Sequence, residues 1–222
     1  MNNRQLKDML YEQVARVGKA VSSPKRLELL ELLAQSEKSV DQLASEISAD
    51  IKLTSAHLKA LKAARLIQSR REGKYIYYSL SAPDVARLWV NLRQVAENHL
   101  LELQQALQHM VTDPAHLASM SRETLLEQAR RGDIVVLDVR PQAEYEVAHL
   151  PFARSMPVAE IKQRLAELPV GKDIVAYCRG PFCLLSDEAV NLLAARGYVV
   201  RKLNDGVSEW QAAGLPITSG ND

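Results

Sequence analysis

Between Asn3 and His109 the apolar residues recur mostly every three or four positions, the spacing of helices with one buried face. Polar pauses at Ser22-Ser23-Pro24, at 36–39 and at 48–52 divide that stretch, predicting helices at 4–20, 24–35, 39–47 and 53–65. The period then falls to two. Leu66-Ile67-Gln68-Ser69-Arg70-Arg71 and Lys74-Tyr75-Ile76-Tyr77-Tyr78-Ser79-Leu80 flank Glu72-Gly73, which reads as a two-residue hairpin turn, so a β-hairpin wing is expected. A long helix follows over 82–109, with Leu88, Leu92, Val95, His99, Leu103 and Leu107 roughly on one stripe. So small a domain cannot cover a helix of that length, and its spare apolar face suggests a dimer interface.

Residues 111–121, with Pro114 and several Ser and Thr, read as a linker. Beyond it strands and helices alternate: a helix at 122–131, an uninterrupted apolar strand at 134–139, a short helix at 158–167, a second strand at 173–177, a helix at 186–196 and a third strand at 199–203. Apolar strands without alternation, set between helices, imply a parallel sheet covered on both faces. The expected fold is therefore two domains: a mainly α winged helix-turn-helix over 1–110, a linker over 111–120, and an α/β parallel-sheet domain over 121–222.

A length of 222 residues allows each half its own core. The net charge of +1 conceals an asymmetry: residues 1–110 carry sixteen bases against twelve acids, and residues 111–222 carry twelve against fifteen. The sign suits a phosphate-binding half joined to an acidic one. No run approaches the length of a membrane span, so a cytoplasmic protein without membrane contact is expected. The two cysteines, Cys178 and Cys183, are too few for a disulfide framework and stand close enough for a local reactive role.

Two helices separated by a short break and followed by a basic hairpin give the order of a DNA reader. Thr54, Ser55, His57, Lys59 and Lys62 are expected to project from the second helix toward base edges and phosphates, and Arg70, Arg71 and Lys74 to reach phosphates from the wing. The segment 21–80, above all Ser55-Ala56-His57-Leu58-Lys59-Ala60-Leu61 with Ala64-Arg65-Leu66-Ile67 and residues 70–78, resembles the ArsR family of repressors. That resemblance implies a homodimer on palindromic double-stranded operator DNA. This half holds no cysteine, and His57, His99 and His109 make no convincing ligand set, so no metal and no cofactor are expected.

The strand at 173–177 delivers Cys178 into Arg179-Gly180-Pro181-Phe182-Cys183, just before a helix. Converging backbone N–H groups, the helix dipole and Arg179 are expected to lower its pKa below the free value of about 8.5. Residues 136–141, Glu144-Tyr145, Ala148-His149-Leu150-Pro151, Asp205-Gly206-Val207-Ser208-Glu209-Trp210 and Gly214-Leu215-Pro216 together resemble the rhodanese family. The resemblance implies that Cys178 is a nucleophile carrying sulfane sulfur as a persulfide, with Arg179 and Cys183 beside it and Asp138, Arg140, Glu144 and His149 as a supporting polar network. Cys183 occupies the place where that family's loop ends in a cation and, with Ser186 taken as the small hydroxyl residue that follows that family's loop, the loop is about two residues longer. A persulfide on Cys178 could thus be resolved by Cys183. The expected function is a repressor that senses or carries reactive sulfur from a small donor such as polysulfide, persulfide or thiosulfate. The alternative is a sulfurtransferase, or an arsenate reductase, that controls its own expression.

Overall fold

The computed structural model describes residues 2–110, 116–169 and 171–220. The linker expectation at Pro114 lies outside the described residues. Two compact units divide at Trp89 and Val90, within a helix.

The first unit begins with α1 (Asn3–Val21), whose start is fixed by a capping box between Asn2 and Gln5. α2 (Pro24–Gln35) opens on a proline, which needs no N–H there. The two-residue strand β1 (Lys38–Ser39) runs directly into α3 (Val40–Glu46), capped by Ser39 and Gln42. Asp50 then accepts the Leu53 N–H at 2.8 Å and starts α4 (Ile51–Ala63). That is two residues earlier than the apolar period indicated, because the capping carboxylate sets the start. The helix ends at Ala63, where Arg65 turns left-handed with φ 60°. β2 (Ile67–Glu72) and β3 (Tyr75–Leu80) pair from Ile67↔Leu80 to Glu72↔Tyr75. The wing's loop residues are therefore Gly73 and Lys74, one position beyond the expected Glu72-Gly73. β1 adds to the far edge of β3, giving the order β1-β3-β2. Leu29, Leu30, Leu33, Leu43, Ile47, Leu58, Leu61 and Val85 fill the core.

The expected single helix over 82–109 is two: α5 (Pro83–His99) and α6 (Leu101–Met110). Gln104 from α6 donates its side-chain amide to the Glu97 carbonyl at 2.7 Å, taking up a backbone acceptor near the end of α5. The apolar stripe Leu88, Leu92, Val95, His99, Leu103, Leu107 therefore does not run along one continuous helix.

In the second unit, α7 (Arg122–Arg131) is capped by Ser121 and ends on left-handed Gly132. It leads to β4 (Ile134–Asp138), α8 (Gln142–Val147) and β5 (Ala153–Ser155). The helix expected over 158–167 is a chain of short turns around α9 (Ile161–Arg164), with 3-10 turns at Val158–Glu160 and Leu165–Glu167. β6 (Asp173–Tyr177), α10 (Leu185–Ala194), β7 (Val200–Lys202) and α11 (Val207–Ala212) complete the unit. The sheet is parallel throughout, in the order β5-β4-β6-β7, and Leu117 bridges to Lys202 along β7.

Side chains leave this sheet alternately to two cores. Val135, Leu137, Ile174 and Ala176 enter one with Ala189, Val190 and Leu193 of α10, and Ile134, Val136, Val175 and Tyr177 enter the other with Trp210 of α11. Cys178 continues the alternation of Ile174 and Ala176, so its sulfur joins the α10 side. Burial on both faces is what made β4 and β6 continuous apolar runs.

Candidate functional site

The expected DNA-reading residues of α4 divide into three groups. Ser55 and His57 are half-exposed on α4 and Lys59 is exposed. Thr54 is a correction: it is fully buried, and its hydroxyl donates to the Asp50 carbonyl at 2.9 Å. It lies one turn after the N-cap on the inward face with Leu58 and Leu61, so it supports the helix start and cannot read a base. Lys62 is exposed but hydrogen-bonds the Ser69 hydroxyl at 2.6 Å, tying α4 to the wing.

On the wing, Arg71 and Lys74 are exposed and make no ion pair with a carboxylate among the described residues; Arg71 donates to the Gly73 carbonyl and Lys74 lies 5.1 Å from the Tyr75 ring centroid. Arg70 is different. Its guanidinium is held by Glu37 at 2.5 Å and Glu72 at 2.5 Å, which raise its pKa further, and it sits 4.9 Å over the Tyr77 ring. Its charge is already met within the protein, which leaves it less available to an outside anion than Arg71 or Lys74.

In the second unit Cys178 stands at the end of β6 with 1% exposure, and residues 179–184 curl over it before α10. Its Sγ lies 3.2 Å from the Ser186 Oγ, 3.5 Å from the Cys183 carbonyl oxygen and 3.8 Å from that of Gly180. Burial alone pushes this thiol up. Hydrogen bonds from the Cys183 thiol, the Ser186 hydroxyl and the backbone amides of Gly180 and Ser186 outweigh it and bring Cys178 from the ordinary 9.0 down to about 7. Cys183 is held far above the usual thiol range, first because its proton bonds to Cys178, then by burial and by the negative charge of Cys178. One thiol thus serves as the thiolate and the other as its donor.

Arg179 does not supply this field. Its guanidinium is gripped by buried Glu144, at 3.0 Å from Nε and 2.5 Å from Nη2. Asp138 and Arg140 form a fully buried pair: Arg140 Nη2 donates to Asp138 at 2.6 Å and to the Ala148 carbonyl at 2.7 Å, and Tyr177 donates to Asp138 at 2.6 Å. Tyr177 in turn accepts the Leu150 N–H at 3.0 Å, and burial beside Asp138 drives its pKa well up, so it stays a donor. His149 stands apart from both pairs, stacked on Tyr145 with ring centroids 3.8 Å apart and bonded to the Tyr145 carbonyl at 2.9 Å. The Asp138–Arg140 pair and Glu144 are coupled, since the Glu144 charge also favours the Arg140 cation, while His149 packs on Tyr145.

Ser186, Tyr177 and Gly206 were not singled out as site residues. Ser186 lies eight positions beyond Cys178, in the first turn of the helix after the loop, which is where a hydroxyl can face back to the sulfur. Gly206 passes so close to the loop that a Cβ there would stand 2.5 Å from the Cys178 carbonyl oxygen and 2.7 Å from the Arg179 carbonyl carbon, so only glycine fits. Among the described residues no group of three or more His, Cys, Asp or Glu is placed to hold a metal ion, and no helix is long and apolar enough to cross a membrane.

A winged helix-turn-helix joined to a parallel-sheet unit is the architecture of a DNA-binding regulator with a second, α/β domain. Family comparison agrees: residues 23–69 match the bacterial regulatory protein, arsR family, and residues 121–213 match the rhodanese-like domain. The HTH-type transcriptional regulator Rv0324 of Mycobacterium tuberculosis is 41% identical over 214 residues, covering 96% of this chain and 94% of that protein. A sulfurtransferase of Allochromatium vinosum is 34% identical over 88 residues, 39% of this chain and 80% of its own. The homodimeric winged helix-turn-helix DNA-binding domain (fragment 1-100) of a possible ArsR-family regulator from Mycobacterium bovis is 42% identical, covering 46% of this chain and 93% of that one, with a TM-score of 0.42. The chain belongs to the ArsR family of HTH-type transcriptional regulators and carries a C-terminal rhodanese-like domain.

Proposed function

We propose that this regulator is a homodimeric repressor of double-stranded operator DNA whose affinity responds to sulfane sulfur taken up by Cys178. The observation that carries the reading is the thiol pair in one loop: Cys178 is ionised near neutrality because Cys183 and Ser186 donate to it. A thiolate attacks the terminal sulfur of a polysulfide, the S–S bond of the donor breaks, and the shortened polysulfide leaves with the electron pair. The Cys178 persulfide then meets the Cys183 thiol. Attack on the Cys178 sulfur forms the Cys178–Cys183 disulfide and releases the outer sulfur as hydrogen sulfide, so two thiols are oxidised and one sulfane sulfur is reduced.

The DNA face assigned to the repressor is His57, Ser55 and Lys59 of α4 with Arg71 and Lys74 of the wing. Dimerisation is assigned to exposed apolar residues on helices of the first unit, including Leu6, Met9, Leu10 and Val14 of α1, an i, i+3/i+4 row too apolar to be left in water. A sulfurtransferase acting on thiosulfate is the second reading, favoured by the ionised Cys178. Arg179, the one cation in residues 178–184, is already bound by Glu144, which weakens that reading for an anionic donor. The test is intact mass after polysulfide treatment: wild type loses two hydrogens to the bridge, whereas Cys183→Ser stops one sulfur heavier at Cys178. Rapid cyanide or thiol turnover of thiosulfate, with no stable product on the chain, would favour the enzyme instead.

A further inference from the structure

The outer side of the cysteine loop rests on a buried charge. Arg93, on the part of α5 that belongs to the second unit, is 3% exposed and pairs with Glu209 at 2.8 Å and Glu97 at 2.9 Å. Glu209 also accepts the Gly206 N–H at 2.6 Å, on the segment that backs the loop from the other side. The Phe182 ring centroid of the loop lies 5.7 Å from the Arg93 guanidinium carbon. Gly180 sits directly against this pair: a Cβ there would stand 3.1 Å from Arg93 Nη1 and 3.2 Å from the nearer Glu209 oxygen, and its φ of 140° is one that side chains rarely adopt. The loop is thus closed between Cys178 on its inner side and Arg93 with Glu209 on its outer side.

We infer that Arg93 is the positioning residue through which α5 registers the chemical state of Cys178, an added sulfur atom on the thiol forcing Gly180 outward against the Arg93–Glu209 pair. The inference rests on the reading of Cys178 as the sulfur acceptor only for the identity of the modifying group. The steric argument is independent of it. Sulfur bound to Sγ projects by about 2.05 Å, while Sγ already has neighbours at 3.2, 3.5 and 3.8 Å and no exposed side. The carbonyl of Gly180 is one of those neighbours, so the loop must yield, and the same residue carries the displacement to Arg93. A buried arginine paired with two carboxylates does not yield by degrees, since parting it from either leaves an uncompensated charge. The helix it belongs to runs unbroken from Pro83 to His99, and Val85, Trp89, Arg93 and Glu97 recur on it at intervals of four, with Val85 in the core of the first unit.

Hydrogen exchange on the full-length protein tests this. Methyl methanethiosulfonate transfers a methylthio group to the Cys178 thiolate with loss of methanesulfinate, needing no sulfane sulfur. The Cys183→Ser protein is used, because Cys183 would otherwise displace the group as methanethiol; once intact mass and peptide mapping place the group on Cys178, amides over 90–97 should exchange about tenfold faster than in the same protein reduced. Gly180→Ala, which sets a methyl between the loop and Arg93, should raise exchange over the same residues without any modification. Methylthiolated Cys183→Ser protein whose α5 amides exchange as slowly as before would overturn the inference, whether or not Gly180→Ala folds. If polysulfide leaves neither a bridge in wild type nor an added sulfur on Cys178 of the Cys183→Ser protein, while methylthiolation still loosens α5, the sulfane-sulfur reading falls and the Arg93 linkage stands.

Discussion

Replacing Ser186 by alanine removes one donor from the Cys178 thiolate and leaves the rest of the loop in place. The hydroxyl is 3.2 Å from the sulfur and fully buried, so no water takes its role without opening the loop. A hydrogen bond to a charged group contributes about 1.5–3 kcal/mol. At about 1.4 kcal/mol for each tenfold change in ionisation, Cys178 should move from about 7 to roughly 8–9. At neutral pH the thiolate fraction then drops from about half to roughly 1–10%. The rate of attack on a small disulfide falls less than that, because a more basic thiolate is the better nucleophile, with a Brønsted slope of about 0.4–0.5. The net loss at pH 7 is only about two- to sixfold, whereas the plateau at high pH should rise above that of wild type. The assay is the rate of mixed-disulfide formation at Cys178 as a function of pH, followed by mass in a Cys183→Ser background shared by both proteins. A rate profile with an unchanged midpoint would show that Ser186 does not hold the thiolate and that the field lies elsewhere.

Other outcomes follow from the same geometry. Asp138→Asn leaves Arg140 as a buried cation without its carboxylate, and urea unfolding should show a loss of about 3–5 kcal/mol. Arg71→Glu and Lys74→Glu should weaken binding to all DNA sequences and flatten the salt dependence by about 0.9 in log–log slope for each phosphate no longer neutralised; Arg70→Gln should do less, because Glu37 and Glu72 already hold that charge. The thiol pair also sets a pH profile for stability. Cys178 is depressed, so the folded state holds fewer protons than the unfolded one between about 7 and 9, and stability should rise over that window. Cys183 is raised, so stability should fall again at higher pH, and Cys178→Ser should remove the rise when urea midpoints are compared.

The elements that could be read from the chain are those whose periodicity is enforced by burial. β4 and β6 are covered on both faces and so are unbroken apolar runs, and α2 and α7 announce themselves by Pro24 and by Ser121 with Gly132. β1, β5, α8 and α11 were not legible because, at two to six residues, none carries an apolar run such as Val199-Val200, which marked the equally short β7. The break at Leu100 was hidden for another reason: apolar residues continue through it, and the stop depends on Gln104 reaching back to the Glu97 carbonyl. At the site, residue identity located Cys178, but partners could not be inferred from proximity in sequence. Arg179 follows the nucleophile directly and yet serves Glu144, thirty-five positions away, while the donors to the sulfur are Ser186 and Cys183. Thr54 failed similarly, since its hydroxyl suits base reading until the helix phase turns it inward beneath Asp50.

If sulfur on Cys178 changes operator affinity, equilibrium binding reads the effect without an intermediate assay. A duplex selected from random DNA by the reduced protein should be bound equally by wild type and Cys178→Ser, each fully reduced, at one fixed salt concentration. After polysulfide treatment, with the product verified by intact mass, wild type should bind that duplex at least about tenfold more weakly, the lower range of an allosteric coupling, and Cys178→Ser should bind as before. An unchanged wild-type affinity with the Cys178–Cys183 bridge fully formed, or an equal loss of affinity in Cys178→Ser, would contradict the account.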